Sequence, residues 1–96
     1  GNLVRALEQA EALLGKEAGS AEGLLIRSQV RSQQGRMQAA LQDAQAALKS
    51  DPENIDSRIQ LTSLHLLQQH NERAARLISE GLEQSPGNTR LLIQLA

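Results

Sequence analysis

Two histidines have the side chains best suited to metal binding or proton transfer. His65 and His70 are five positions apart, a spacing that separates side chains by more than about 100° around a single helix. Paired zinc ligands on a helix usually lie one turn apart. We therefore expect no shared metal. His65 is better explained as a partly buried spacer, and His70 as a solvated residue in a turn.

The acidic residues also lack the partners that catalysis needs. Asp51 and Glu53 flank Pro52 in a linker, where capping and solubility explain them. No Asp or Glu completes a triad, and the chain has no glycine-rich phosphate loop. It has no cysteine, which excludes disulfides and thiolate metal sites. The sequence predicts no enzyme, no cofactor and no metal.

Charge and composition restrict the class of partner. The formal net charge is −1 and there is no Phe, Tyr or Trp, so the basic stripe and stacking aromatics of nucleic-acid binders are missing. The apolar runs 24–26 and 91–93 are too short to insert into a bilayer, and the start has no signal-peptide pattern. We expect a soluble chain, and both cytoplasm and bacterial periplasm remain open as its location.

The elements that carry these residues repeat along the chain. One face of a helix is defined by apolar residues with helical spacing: Met37, Ala40, Leu41, Ala44, Ala47 and Leu48. Thirty-four residues earlier the same positions hold Leu3, Ala6, Leu7, Ala10, Leu13 and Leu14. Thirty-four residues later they hold Asn71, Ala74, Ala75, Ile78, Gly81 and Leu82, five of which fit a close-packed face. Three helices therefore share one register.

The residues that begin and end helices follow the same period. Good N-cap residues recur at Ser20, Asn54 and Asn88. Pro52 and Pro86 precede the last two caps and stop the helices before them. Gly35 suits the left-handed residue at a helix C-terminus. Gln69 occupies the equivalent place in the next unit, so we expect that turn to be made another way.

These signals predict six helices and no strand. We place them at about 2–15, 21–34, 37–49, 55–68, 71–84 and 89–96. The connections are only a few residues long, so sequential helices must pack antiparallel.

A helix-pair repeat of this length resembles the tetratricopeptide repeat. The positions of the family pattern hold Leu24, Arg27, Ser28, Arg31, Ala40, Ala44 and Pro52 in one unit, and Arg58, Leu61, Thr62, His65, Ala74, Ile78 and Pro86 in the next. The resemblance implies an all-α fold of antiparallel helix pairs stacked as a right-handed superhelix. It divides the chain 1–96 into the second helix of a partial repeat (2–20), two full repeats (21–54 and 55–88) and the start of a further repeat (89–96).

The first helices depart from the family pattern at four positions. Arg27, Arg31, Arg58 and His65 stand where the family prefers apolar or aromatic residues. An arginine stem covers apolar surface while its head reaches water. We expect the three arginines to do this.

The resemblance also implies a function, namely binding a partner polypeptide in the concave groove that the first helices line. The candidate groove residues are Leu25, Gln29, Gln33, Gln60, Ser63, Leu67, Arg90 and Gln94. A glutamine amide pairs with a partner's backbone, although glutamine is also a common helix former on any wet surface. One subgroup of the family binds the C-terminal carboxylate of chaperones with basic and amide side chains. At the corresponding positions of this chain only Arg90 has a matching charge. We therefore expect another kind of protein or peptide.

A second hypothesis is structural. The helical spacing of apolar residues continues to both ends of the chain, as in a piece of a longer repeat array. Each end is therefore expected to expose apolar residues that promote association. The residues concerned are Leu3, Leu7 and Leu14 at one end and Leu91, Leu92 and Leu95 at the other. The chain would then be a spacer or a homo-oligomer within a larger assembly, such as a bacterial envelope or secretion system.

Overall fold

The computed structural model describes residues 2–95, which form six α-helices. The helices are α1 (Asn2–Lys16), α2 (Ala21–Gln33), α3 (Met37–Ser50), α4 (Ile55–Leu67), α5 (Asn71–Gln84) and α6 (Thr89–Leu95). Each predicted helix is confirmed to within a residue at either end, and the predicted final residue, Ala96, lies outside the described residues.

Side-chain caps begin three of the helices at the predicted positions. The Ser20 hydroxyl accepts a hydrogen bond from the Gly23 N–H at 3.1 Å. The Asn54 side-chain oxygen accepts one from Ser57 at 2.9 Å, and the Asn88 oxygen accepts one from Leu91 at 3.1 Å. Each bond satisfies an amide that the first turn of a helix leaves without a partner.

The ends of α2 and α4 have the same geometry although their residues differ. Gly35 has φ 77° and Gln69 has φ 63°. In both turns the N–H of the following residue donates a hydrogen bond to the carbonyl five positions earlier. Arg36 donates to Arg31 and His70 to His65, each at 2.8 Å. This is the pattern of a left-handed C-terminal cap. The prediction that the second turn is made another way is therefore wrong, because glutamine here adopts the glycine conformation.

The helix contacts give the stack its curvature. Each helix packs against the next, and α2 also packs against α4, and α4 against α6. Among residues 2–95, α1, α3 and α5 make no such contacts with one another. The row formed by α2, α4 and α6 is thus the shorter, inner side of the stack.

The core lies where α3, α4 and α5 meet. Its buried members are Ala40, Leu41, Ala44, Leu61 and Leu64, with Met37, Leu48 and Leu77 packed against them. Alanines on α3 let the helices approach closely, so leucines from α4 fill the space between them.

Side-chain volumes are complementary where each second helix meets the next first helix. Gly23 leaves room for Leu13 and Leu14: an added Cβ would lie 3.1 Å from Leu13 Cβ and 3.0 Å from Leu14 Cγ. Two repeats further along the stack the sizes are reversed, and a Cβ on Gly81 would lie 2.8 Å from Leu91 Cδ1. Leu91 is therefore fully buried, and its predicted exposure at the end of the chain is wrong.

Candidate protein-binding surface

Equivalent positions on α2, α4 and α6 form a row on the inner side of the stack, which we call the inner row. Aliphatic residues recur at 34-residue steps at Leu25, Ile59 and Ile93. Two large apolar side chains on these helices are strongly exposed, Ile93 at 74% and Leu67 at 70%. Gln29 and Gln33 are also exposed, and Leu25 is half-buried.

Two of the predicted groove glutamines join successive first helices. The Gln60 amide nitrogen donates to the Ser28 hydroxyl at 3.2 Å, and that hydroxyl donates to the Ala40 carbonyl at 2.8 Å. Gln94 lies 34 residues beyond Gln60 and donates to the Ser63 hydroxyl at 3.1 Å and to the Ile59 carbonyl at 3.3 Å. These amides are already used in holding α2 to α4 and α4 to α6.

Arg90 makes the corresponding charged contact between α4 and α6. Its guanidinium pairs with the Asp56 carboxylate at 2.5 Å, and both side chains are exposed. An exposed pair of this kind contributes about 1 kcal/mol or less. Within the part of the chain that the structure describes, four of the eight predicted groove residues make no side-chain hydrogen bond or ion pair between helices: Leu25, Gln29, Gln33 and Leu67.

A buried carboxylate organises the polar contacts of α2 and α3. Asp43 is 4% exposed and accepts two hydrogen bonds from Arg27, at 2.9 and 3.0 Å, and one from Arg31 at 2.9 Å. The hydrogen bond to Asp43 raises the pKa of Arg27. Arg27 and Arg31 keep part of their side chains exposed, at 30% and 26%, but both guanidiniums also bind this carboxylate, a contact that the prediction did not include. Asp43 was not among the residues predicted from the sequence. Comparing the two units would have singled it out, because 34 residues after Arg27, Arg31 and Asp43 the chain has Leu61, His65 and Leu77, and the charged set is absent.

Arg58 is more deeply buried than either of those arginines, at 4% exposure. Its guanidinium donates to the Leu77 carbonyl at 3.0 Å and to the Pro52 carbonyl at 3.2 Å, and lies 3.5 Å from Glu80. Arg58 thus ties α4 to α5 and to the preceding loop. Its predicted contact with water is wrong.

The two histidines meet. Their Nδ1 atoms are 3.1 Å apart and their ring centroids 5.3 Å apart. The angular argument failed because α4 ends at Leu67 and the turn at Gln69 brings His70 back over His65. Burial lowers the pKa of His65, and the neighbouring His70 and Arg73 lower it further. Residues 2–95 contain no group of three or more His, Cys, Asp or Glu side chains placed to hold a metal ion.

Comparison with protein families supplies the decisive observation. The model of the tetratricopeptide repeat matches residues 32–96, which is most of the chain and includes the turns at Gly35 and Gln69 and the α3–α5 core. This chain belongs to the tetratricopeptide repeat family. Repeats of this family are generally protein–protein interaction modules and typically non-enzymatic scaffolds. Comparison with curated proteins finds none that matches the chain.

The helices of this tetratricopeptide repeat chain pack on each other along the stack. Within residues 2–95 no helix combines the length and the apolar character needed to cross a bilayer.

Proposed function

We propose that this chain is an adaptor that binds a segment of another protein along the inner row. The observation that carries the proposal is the combination of exposed Leu67 and Ile93 with the free amides of Gln29 and Gln33. Large apolar side chains on a surface favour contact with a partner, and amides beside them pair with its backbone.

The proposal includes a division into repeats. Residues 21–54 and 55–88 are two full units, 2–20 supplies the second helix of a unit before them, and 89–96 begins another. In this arrangement the partner contacts only first helices. Leu25, Gln29, Gln33, Leu67 and Ile93 touch it. The other predicted groove residues act indirectly, because their bonds set the spacing of α2, α4 and α6: Gln60, Ser63, Arg90 and Gln94.

The test is a pull-down from the lysate of the source organism with the chain as bait and mass spectrometry as the readout. The variant Gln29→Glu/Gln33→Glu adds two charges to the inner row. The control Gln9→Glu/Gln38→Glu adds the same charge to exposed positions on second helices. A protein retained by the wild type and the control but lost with the inner-row variant supports the adaptor. Equal recovery by all three baits contradicts it.

The exposed ends support a second candidate, self-association as a spacer or stacking unit. Leu3 and Val4 are exposed at one end of the stack, and Leu92 at the other. End-to-end contact of this kind is heterologous and extends without closing. Sedimentation velocity over a wide concentration range tests it: a mass that rises with concentration and falls in a Val4→Ser/Leu92→Ser variant supports stacking, and a constant monomer mass contradicts it.

A further inference from the structure

A cleft opens on the side of the molecule opposite the inner row. Because α3 and α5 both pack on α4 but not on each other, a gap of about 260 Å³ remains between them. The side chains at its base are Leu61 and His65 from α4 and Leu77 from α5, and its rim is formed by Gln45, Arg73, Arg76 and Glu80.

The rim carries positive charge that the protein itself does not neutralise. Arg73 and Arg76 are exposed, and within residues 2–95 neither lies within 4.0 Å of a carboxylate oxygen. Glu80, the acidic group of the rim, lies 3.5 Å from the buried guanidinium of Arg58. The rim thus holds two arginines and one glutamate, a local excess of positive charge on a chain whose formal net charge is −1.

In the preceding unit the positions equivalent to the base of the cleft are occupied by an ion-pair cluster of the chain itself. Thirty-four residues before Leu61, His65 and Leu77 stand Arg27, Arg31 and Asp43, and there two guanidiniums bind one buried carboxylate. In the cleft the acidic position has become Leu77. Two other arginines, Arg73 and Arg76, line the gap from α5, and the acidic residue beside them is Glu80.

We propose that this cleft is a second binding site, which takes an acidic side chain from a polypeptide partner. The carboxylate lies between Arg73 and Arg76, where charge-assisted hydrogen bonds hold it. The aliphatic part of the same segment packs on Leu61 and Leu77. His65 Nδ1 faces His70, which leaves Nε2 as the ring nitrogen for a ligand.

A peptide carboxylate fits this site better than a phosphate backbone. Two of the three residues at the base, Leu61 and Leu77, are apolar, and Glu80 stands on the rim, where it disfavours a densely charged ligand. The chain has no aromatic side chain on which a base would stack. The site lies on the opposite face from the inner row, so it is independent of the adaptor proposal.

The experiment uses fluorescence anisotropy with a labelled peptide that alternates leucine and glutamate, and with its glutamine counterpart. The variant is Arg73→Gln/Arg76→Gln. The control Arg5→Gln/Arg36→Gln removes the same charge from exposed arginines elsewhere. We expect the acidic peptide to bind the wild type and the control alike, and the cleft variant about tenfold more weakly or worse, since two charge-assisted bonds are lost.

Chemical-shift mapping by NMR identifies the face that binds. Peptide-dependent shifts at the Leu61 and Leu77 methyls and at the His65 ring support the cleft. Equal weakening by both arginine pairs overturns the proposal, as do shifts confined to Gln29, Gln33 and Leu67 or equal binding of the glutamine peptide. Tighter binding of a thymidine oligonucleotide through Arg73 and Arg76 also overturns it, because the partner is then a nucleic acid.

Discussion

At the scale of single residues, Gln69 shows that a residue other than glycine forms the left-handed turn that Gly35 forms in the preceding unit. Its φ of 63° costs a residue with a Cβ about 1–2 kcal/mol, and part of that is regained because glutamine loses less backbone entropy than glycine on folding. The hydrogen bond from His70 to His65 at 2.8 Å is kept.

Gln69→Gly is accordingly expected to raise the free energy of unfolding by about 0.5–1 kcal/mol, measured by urea denaturation. Gln68→Gly is the matched control. Gln68 has φ −96°, so glycine relieves no strain there and only adds unfolded-state entropy. A loss of stability in both variants would contradict this account.

His65 is expected to make stability depend on pH. Its folded-state pKa lies below the ordinary value of 6.5, first because of burial and then because of His70 and Arg73. Above pH 6.5 the His65 side chain is neutral in both the folded and the unfolded chain, so it adds no pH dependence to the free energy of unfolding. As the pH falls below 6.5 the unfolded chain takes up a proton that the folded chain resists, so stability is lost down through the folded pKa.

The measurement is urea denaturation between about pH 7.5 and pH 5, where carboxylates have barely begun to titrate. His65→Leu should flatten the dependence below 6.5, since leucine fits the apolar surroundings and carries no proton. An unchanged slope in that variant would assign the effect to another group.

At the scale of elements, α2 and α3 are joined by a charged cluster, whereas the equivalent positions on α4 and α5 hold Leu61, His65 and Leu77. Asp43→Leu removes the carboxylate that Arg27 and Arg31 bind. We expect it to lower the free energy of unfolding by about 1–3 kcal/mol, toward the lower value because both arginines are partly exposed and solvent compensates them.

The triple variant Arg27→Leu/Arg31→His/Asp43→Leu installs the set found in the next unit and should recover most of that loss, because replacing all partners by packed side chains removes the stranded charges. Chemical denaturation of the wild type, single and triple variants measures this. If the triple variant is no more stable than Asp43→Leu, the cluster is not an exchangeable unit.

At the scale of the whole molecule, stability is expected to be local, because helices contact only their neighbours along the stack. The seven-residue α6 is held by the Asn88 cap and by Leu91, which is 0% exposed. Leu91→Ala should cost about 2–5 kcal/mol of local stability.

Hydrogen exchange should then show lost protection in α6 and at the end of α5, while α2 and α3 keep theirs. Leu92→Ala is the matched control, since Leu92 is 44% exposed and its truncation should cost about 0.5 kcal/mol or less. Uniform loss of protection along all six helices would show that the stack unfolds as one unit instead.

The sequence by itself determined the helices, their ends and the family. The caps at Ser20, Asn54 and Asn88 bond three residues ahead, and helical periodicity is a matter of three or four positions. Such interactions depend only on residues close together in the chain, so they can be predicted from the sequence without a structure.

Only the tertiary structure decided which side chains are already engaged. Asp43 meets Arg27 across 16 positions and Gln94 meets Ser63 across 31. His70 returns to His65 because a left-handed residue reverses the chain between them. These pairs depend on how closely and at what angle the helices cross. The spacing of residues along one helix carries no such information. For this reason four of the eight predicted groove residues turn out to bond to a neighbouring helix.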